Sequence, residues 1–121
     1  MALTKAIDMG DNNINFWRNL VMSNAVYYVS YKLKKGASVS DFLQAAEKLN
    51  NEHISKQKGY VSWKQLFDGK TWADMITFET MDDLNAFKEA SRKPDELAKK
   101  FYSFMNLFSC KVHLFSVEKS Y

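Results

Sequence analysis

One hundred and twenty-one residues fit one domain, since a typical domain runs ~100–150 residues. With 46% hydrophobic and 26% charged residues, 4 Gly and 1 Pro, the chain is neither disordered nor fibrous. The formal charge of +3 is a mild excess interspersed with acids, which argues against a nucleic-acid surface.

No apolar run approaches the ~18 residues that cross a bilayer, and the start, MALTKAIDMGDNN, has no apolar stretch of secretory type. Cys110 is the single cysteine, so no internal disulfide can form, which suits a reduced, cytoplasmic setting. No membrane contact is expected.

Residues 1–24 are read as an N-terminal extension, in which Ile14, Trp17 and Val21 share one side of a short helix; residues 25–121 are the domain. Val26 to Leu33, VYYVSYKL, is rich in β-branched and aromatic residues and reads as a first strand. Ser38-Val39-Ser40-Asp41 is a capping-box pattern, after which Phe42, Ala46, Leu49 and His53 recur at helical spacing. Leu43 and Ile54 widen that stripe, and Gly59 is placed to stop the helix.

Tyr60 to Phe67 and Thr71 to Glu79 flank Asp68-Gly69, a strong hairpin signal because Gly accepts positive φ. Thr80-Met81-Asp82-Asp83 is a second capping box, followed by Leu84, Phe87 and Ala90 on one helical face. Pro94 suits the first turn of a further helix, with Leu97, Phe101, Phe104, Met105 and Phe108 along one side. Cys110 to Glu118 reads as the last strand. The order is β-α-β-β-α-β: an α+β, ferredoxin-like antiparallel sheet with its helices on one face.

Both faces of that sheet carry apolar residues. The first strand has Val26 and Tyr28 on one parity and Tyr27, Val29, Tyr31 and Leu33 on the other. The last strand sets Val112 and Leu114 against Phe115 and Val117. An apolar face without helices is an association site, so a homodimer is expected.

The segments Gly59-Tyr60, Asp68-Gly69, Trp72-Ala73-Asp74, Phe78-Glu79-Thr80-Met81-Asp82-Asp83 and His113-Leu114-Phe115 resemble the dimeric α+β barrel superfamily, and in particular its antibiotic-biosynthesis monooxygenase-like members. The resemblance spans about residues 25–118. It implies a dimeric α+β barrel and says little about function, because this superfamily hosts many chemistries.

A two-residue hairpin loop would pair Gln65 with Trp72 and Trp63 with Asp74, gathering all four on one sheet face. That is an apolar pocket with few polar groups, the usual make-up of a small-molecule site. Asp74, between tryptophans, is the candidate catalytic base, its pKa raised by desolvation. His113 is a second candidate for proton transfer. Trp63, Gln65, Trp72 and Tyr28 are the candidate substrate-binding residues; for Tyr27, Tyr31 and Tyr60, ordinary packing is the expected role, and for His53 a place at the helix end.

The inventory excludes more than it selects. There is no Gly-rich phosphate loop and no recognisable nucleophile motif. Two distant histidines give no metal-ligand spacing, so no cofactor and no metal are expected. Haem-degrading relatives use a helix histidine, which residues 80–109 lack. The expected function is binding of an aromatic or apolar small molecule, with cofactor-independent monooxygenation, isomerisation or cyclisation as its chemistry. The alternative is a non-catalytic, ligand-binding or stress-associated homodimeric module.

Overall fold

The structure, a computed structural model, describes residues 23–121. The side formed by Ile14, Trp17 and Val21 lies outside the described residues. The elements are β1 (Ala25–Leu33), α1 (Val39–Glu52), a short 3-10 turn (Ile54–Lys56), β2 (Tyr60–Phe67), β3 (Trp72–Phe78), α2 (Met81–Ala90), α3 (Glu96–Tyr102) and β4 (Met105–Ser116). The strands form one antiparallel sheet in the order β2-β3-β1-β4. This is the ferredoxin-like arrangement, with its second helical region split around Pro94 into α2 and α3.

Local chemistry sets the helix starts. Ser38 Oγ accepts from the Asp41 amide at 3.1 Å, and Thr80 Oγ1 accepts from the Asp83 amide at 3.1 Å. Asp95 caps α3 by accepting from the Ala98 amide, so Pro94 sits just before the cap, not in the first turn. None of the described helices is long and apolar enough to cross a membrane.

Three further expectations need correction. First, α1 ends at Glu52 with His53 as its C-cap, well before Gly59, and Ile54 reaches the core from the 3-10 turn. Second, helix α3 stops at Tyr102, and Met105 and Phe108 belong to β4. Their spacing matches the helical stripe, but Ser103 ends the helix and Phe108 stands fully exposed.

Third, the hairpin loop is four residues, Asp68 to Thr71. Asp68 Oδ1 accepts from the amides of both Lys70 and Thr71, so its side chain holds the wider turn together. The pairs are therefore Gln65 with Asp74, Phe67 with Trp72 and Trp63 with Ile76. The slip is two residues, which preserves side-chain parity. Trp63, Gln65, Trp72 and Asp74 still share one face.

That inner face carries the helices. Phe42 of α1 is fully buried against Tyr31, Trp72, Phe101 and Phe104, with ring centroids 5.2–6.0 Å apart. Truncating such a side chain to Ala typically costs about 3–5 kcal/mol. On the other side of the inner face, Phe87 of α2 packs on Phe78 and Tyr27. His53 Nδ1 lies 2.8 Å from Asp95 Oδ2 and ties the end of α1 to the start of α3.

Candidate active site

Between the inner sheet face and the helices lies a cavity of about 220 Å³. Tyr27 and Val29 of β1, Trp63 of β2, Asp74 and Ile76 of β3 and Cys110 and Val112 of β4 line its sheet side; Leu49, Phe87, Phe101 and Tyr102 close it from the helices. A cavity of ~150 Å³ already accommodates benzene, so a small aromatic body fits. The walls are apolar almost throughout. Asp74 is the one carboxylate.

Asp74 is 2% exposed and sits on the central pair of the sheet, opposite Val29 of β1 and Gln65 of β2. Tyr31, 1% exposed, donates its hydroxyl hydrogen to Asp74 Oδ1 at 2.9 Å. Burial pushes the carboxyl up from the ordinary 3.8 to about 6, against the pull of the Tyr31 hydroxyl and of the Trp63 and Gln65 N–H groups. Trp63 Nε1 and Gln65 Nε2 are buried and reach no acceptor in hydrogen-bond geometry. Their effect on the carboxylate is that of nearby dipoles, not of formed bonds.

Burial also raises Tyr31, with Asp74's charge and hydrogen bond adding to it, so that hydroxyl stays protonated at neutral pH. Desolvation, followed by Asp74's charge, pushes the Cys110 thiol up and keeps it a weak nucleophile. Among the described residues, no group of three or more His, Cys, Asp or Glu could hold a metal ion.

The candidate residues separate by place. Trp63 and Asp74 line the cavity, with Trp63 edge-on to Phe101 at 5.4 Å. Gln65 stands beside Asp74 and faces an adjoining cleft with Asn50 of α1. Trp72 is on the same face but toward the hairpin, stacked on Phe67 at 4.5 Å and against Phe42. His113 and Tyr28 pair across β1 and β4 on the outer face, in contact with each other and with Phe115. They are not brought to the cavity.

Tyr31 is the functional neighbour that sequence reasoning assigned to packing. Its parity put it on the inner face, but the β1–β3 register that brings it to Asp74 joins residues 43 positions apart. Phe87, Phe101, Tyr102 and Cys110 were not singled out as cavity walls either. Only their helical or strand periodicity hinted at an inward face.

With this geometry in view, solved structures provide the comparison. The chain shares its fold with antibiotic-biosynthesis monooxygenase-like proteins. The cofactor-independent oxygenase SnoaB of Streptomyces nogalater superposes with a TM-score of 0.62 at 12% identity, covering 81% of this chain and 96% of that one. A hydroxynitrile lyase from Passiflora edulis gives 0.59 at 20% identity, over 83% and 98% of the two chains. A Streptomyces coelicolor monooxygenase, solved with nanaomycin D bound, gives 0.59 at 14% identity, over 83% and 92%. No protein-family model and no curated protein sequence matches the chain. The similar structures include oxygenases and a lyase, so the shared architecture does not select a reaction.

Proposed function

We propose that this protein binds an aromatic or other apolar small molecule in the cavity beneath its helices, and that Asp74 takes a proton from it. The observation that carries this reading is the buried Asp74 carboxylate, titrating near 6, on the wall of an otherwise apolar cavity. A carboxylate with that pKa is mostly ionised at neutral pH, yet more basic than one in water, as a general base should be.

The chemistry follows from the neighbours. An acidic C–H or O–H of the bound molecule gives its proton to Asp74, and the electron pair stays on the aromatic system. The unpartnered N–H of Trp63, on the cavity wall, is the dipole that would favour such an anion. Tyr31 is a positioning residue: its hydroxyl fixes one carboxylate oxygen. Trp63 walls the substrate, and Trp72 braces the face from the hairpin side. Cofactor-independent oxygenation, isomerisation and cyclisation can each begin with this deprotonation. A homodimer in a reduced, cytoplasmic setting is part of the same reading.

One observation favours the non-catalytic module as a second reading. Asp74 already accepts a hydrogen bond inside the core, which is also what a satisfied structural carboxylate does. Oxygen uptake and tryptophan quenching with a panel of quinols and polyphenols separate the two. The wild type is expected to bind and turn over at least one probe, while Asp74→Asn binds it without turnover. Equal turnover by Asp74→Asn would remove the base, binding without turnover by both proteins would leave the module, and no binding by either would end both readings.

A further inference from the structure

We propose, resting on the reading that an aromatic body occupies the Asp74 cavity, that the same ligand carries a neutral carboxamide held by Asn50 of α1 and Gln65 of β2. Three buried atoms point there. Among the described residues, the buried side-chain nitrogen and oxygen atoms without a partner are Asn50 Oδ1, Trp63 Nε1 and Gln65 Nε2. All three residues line one cleft of about 260 Å³ between α1 and β2. A buried polar atom without a partner costs free energy, and native structures keep few of them. Three around one cleft mark a place where the partner arrives with a ligand.

The cleft adjoins the cavity through shared residues. Helix α1 turns Leu43, Ala46, Glu47 and Asn50 toward it, positions three or four apart on one helical face. Trp63 and Gln65, two apart on β2, meet them from the inner face of the sheet. Gln65 pairs directly with Asp74, so the two side chains leave the backbone about 5 Å apart. Trp63 lines the cleft and the Asp74 cavity alike. One molecule fits both, with a ring in the cavity and a short chain passing the indole to a polar end.

The character of the orphaned atoms selects that end. Asn50 Oδ1 accepts and Gln65 Nε2 donates, so the complementary group offers an N–H to the first and a carbonyl oxygen to the second. A carboxamide does both. An ester or a carboxylate brings acceptors alone and leaves Asn50 Oδ1 bare, and a carboxylate also meets the like charge of exposed Glu47 in the same lining. An ammonium brings donors alone and leaves Gln65 Nε2 without an acceptor. A site built to pair with both kinds of group rejects an analogue that leaves one of them unpaired.

The test is an NMR titration of the full chain with hydrocinnamamide, methyl hydrocinnamate, hydrocinnamate and propylbenzene, which share a phenyl ring and differ at the far end. Propylbenzene reports the apolar cavity alone. The amide is expected to bind roughly tenfold tighter than each of the others, with saturable shifts at the side-chain amides of Asn50 and Gln65. Asn50→Leu and Gln65→Leu should each shrink that preference. Asn50→Leu should also leave the free protein at least as stable in urea, because it removes a buried polar atom that has no partner to lose. Equal affinity for the four probes, or an amide preference that survives both variants, overturns the carboxamide site, while saturable propylbenzene binding keeps the cavity reading. Failure of all four probes to bind overturns both.

Discussion

Tyr31 and Asp74 are 43 residues apart in the chain, almost completely buried, and joined by a 2.9 Å hydrogen bond from the phenol to the carboxylate. The bond offsets part of the cost of placing a charge in the core. Tyr31→Phe keeps the ring and removes the donor, so it isolates that contribution. Leaving a buried acceptor without its partner costs about 1–3 kcal/mol. The donor favours the ionised form, so its loss should also move Asp74 further above 6. Urea denaturation at neutral pH and carbon-13 titration of the carboxyl would check the two effects. An unchanged titration midpoint would mean that the bond is not formed in solution.

The raised pKa of Asp74 makes a statement about stability with a definite sign. The folded state holds its proton up to about pH 6, whereas the unfolded chain releases it near 3.8. Between those values the folded state binds more protons, so stability is greatest below the window and falls as pH rises through it. The total is on the order of 3 kcal/mol. Asp68 acts oppositely: backbone hydrogen bonds hold its pKa down, so its contribution is lost only as pH falls through the acid range. Asp74→Asn should therefore fold and flatten the slope between about pH 4 and 6. It should also match or exceed the wild type in stability at neutral pH, because no charge remains to be desolvated. Chemical denaturation of both proteins across that range decides it; parallel pH profiles would contradict the assignment.

The legible parts of this chain were the ones written locally. Ser38 with Asp41 and Thr80 with Asp83 mark helix starts through contacts three residues long. Asp68-Gly69 marks a hairpin, although the four-residue loop depends on Asp68 Oδ1 accepting from the Lys70 and Thr71 amides. The face of Asp74 was legible for a related reason: the two-residue slip preserved parity, so Trp63, Gln65 and Trp72 stayed beside it. What could not be read depends on pairing across the sheet. Tyr28 and His113 share a parity that strand alternation alone cannot orient toward helices or away from them. Likewise Phe104, Met105 and Phe108 continue a helical stripe by coincidence, and nothing local announces the bulge in β4, where the β1–β4 register shifts between Ser30 and Lys32.

Two glycines with positive φ offer a contrast between conformational strain and collision. Gly69, at φ 95, has nothing within 4 Å of where a Cβ would stand, so Gly69→Ala bears only the left-handed backbone cost, about 1 kcal/mol. Gly59, at φ 77, precedes β2 and lies against α2; a Cβ there would run into the Asp83 side chain. Gly59→Ala should be clearly the worse of the two, at about 2 kcal/mol or more once the displaced carboxylate is included. Adding Asp83→Ala should recover part of the Gly59→Ala loss and none of the Gly69→Ala loss. Equal costs for the two glycines in thermal or urea unfolding would contradict the close approach.

The outer face gives the last expected outcome, that the protein is a homodimer. Tyr28 packs with His113 and Phe115 on the face that carries no helix, and Phe115 is 51% exposed. Leu66, 43% exposed, adds apolar surface on the same face, and β4 is an edge strand with an unpaired side. An apolar sheet face beside a long open edge favours pairing with a second copy. A specific interface of this kind buries about 1,200 Å² or more. Phe115→Lys would put a charge into that interface while leaving the inner core untouched. Sedimentation should find a dimer for the wild type at micromolar concentration and a shift toward monomer for the variant, with the far-ultraviolet circular dichroism of both alike. A wild type that sediments as a monomer would remove the dimer; a variant that stays dimeric would move the contact off this face, to the free edge of β4.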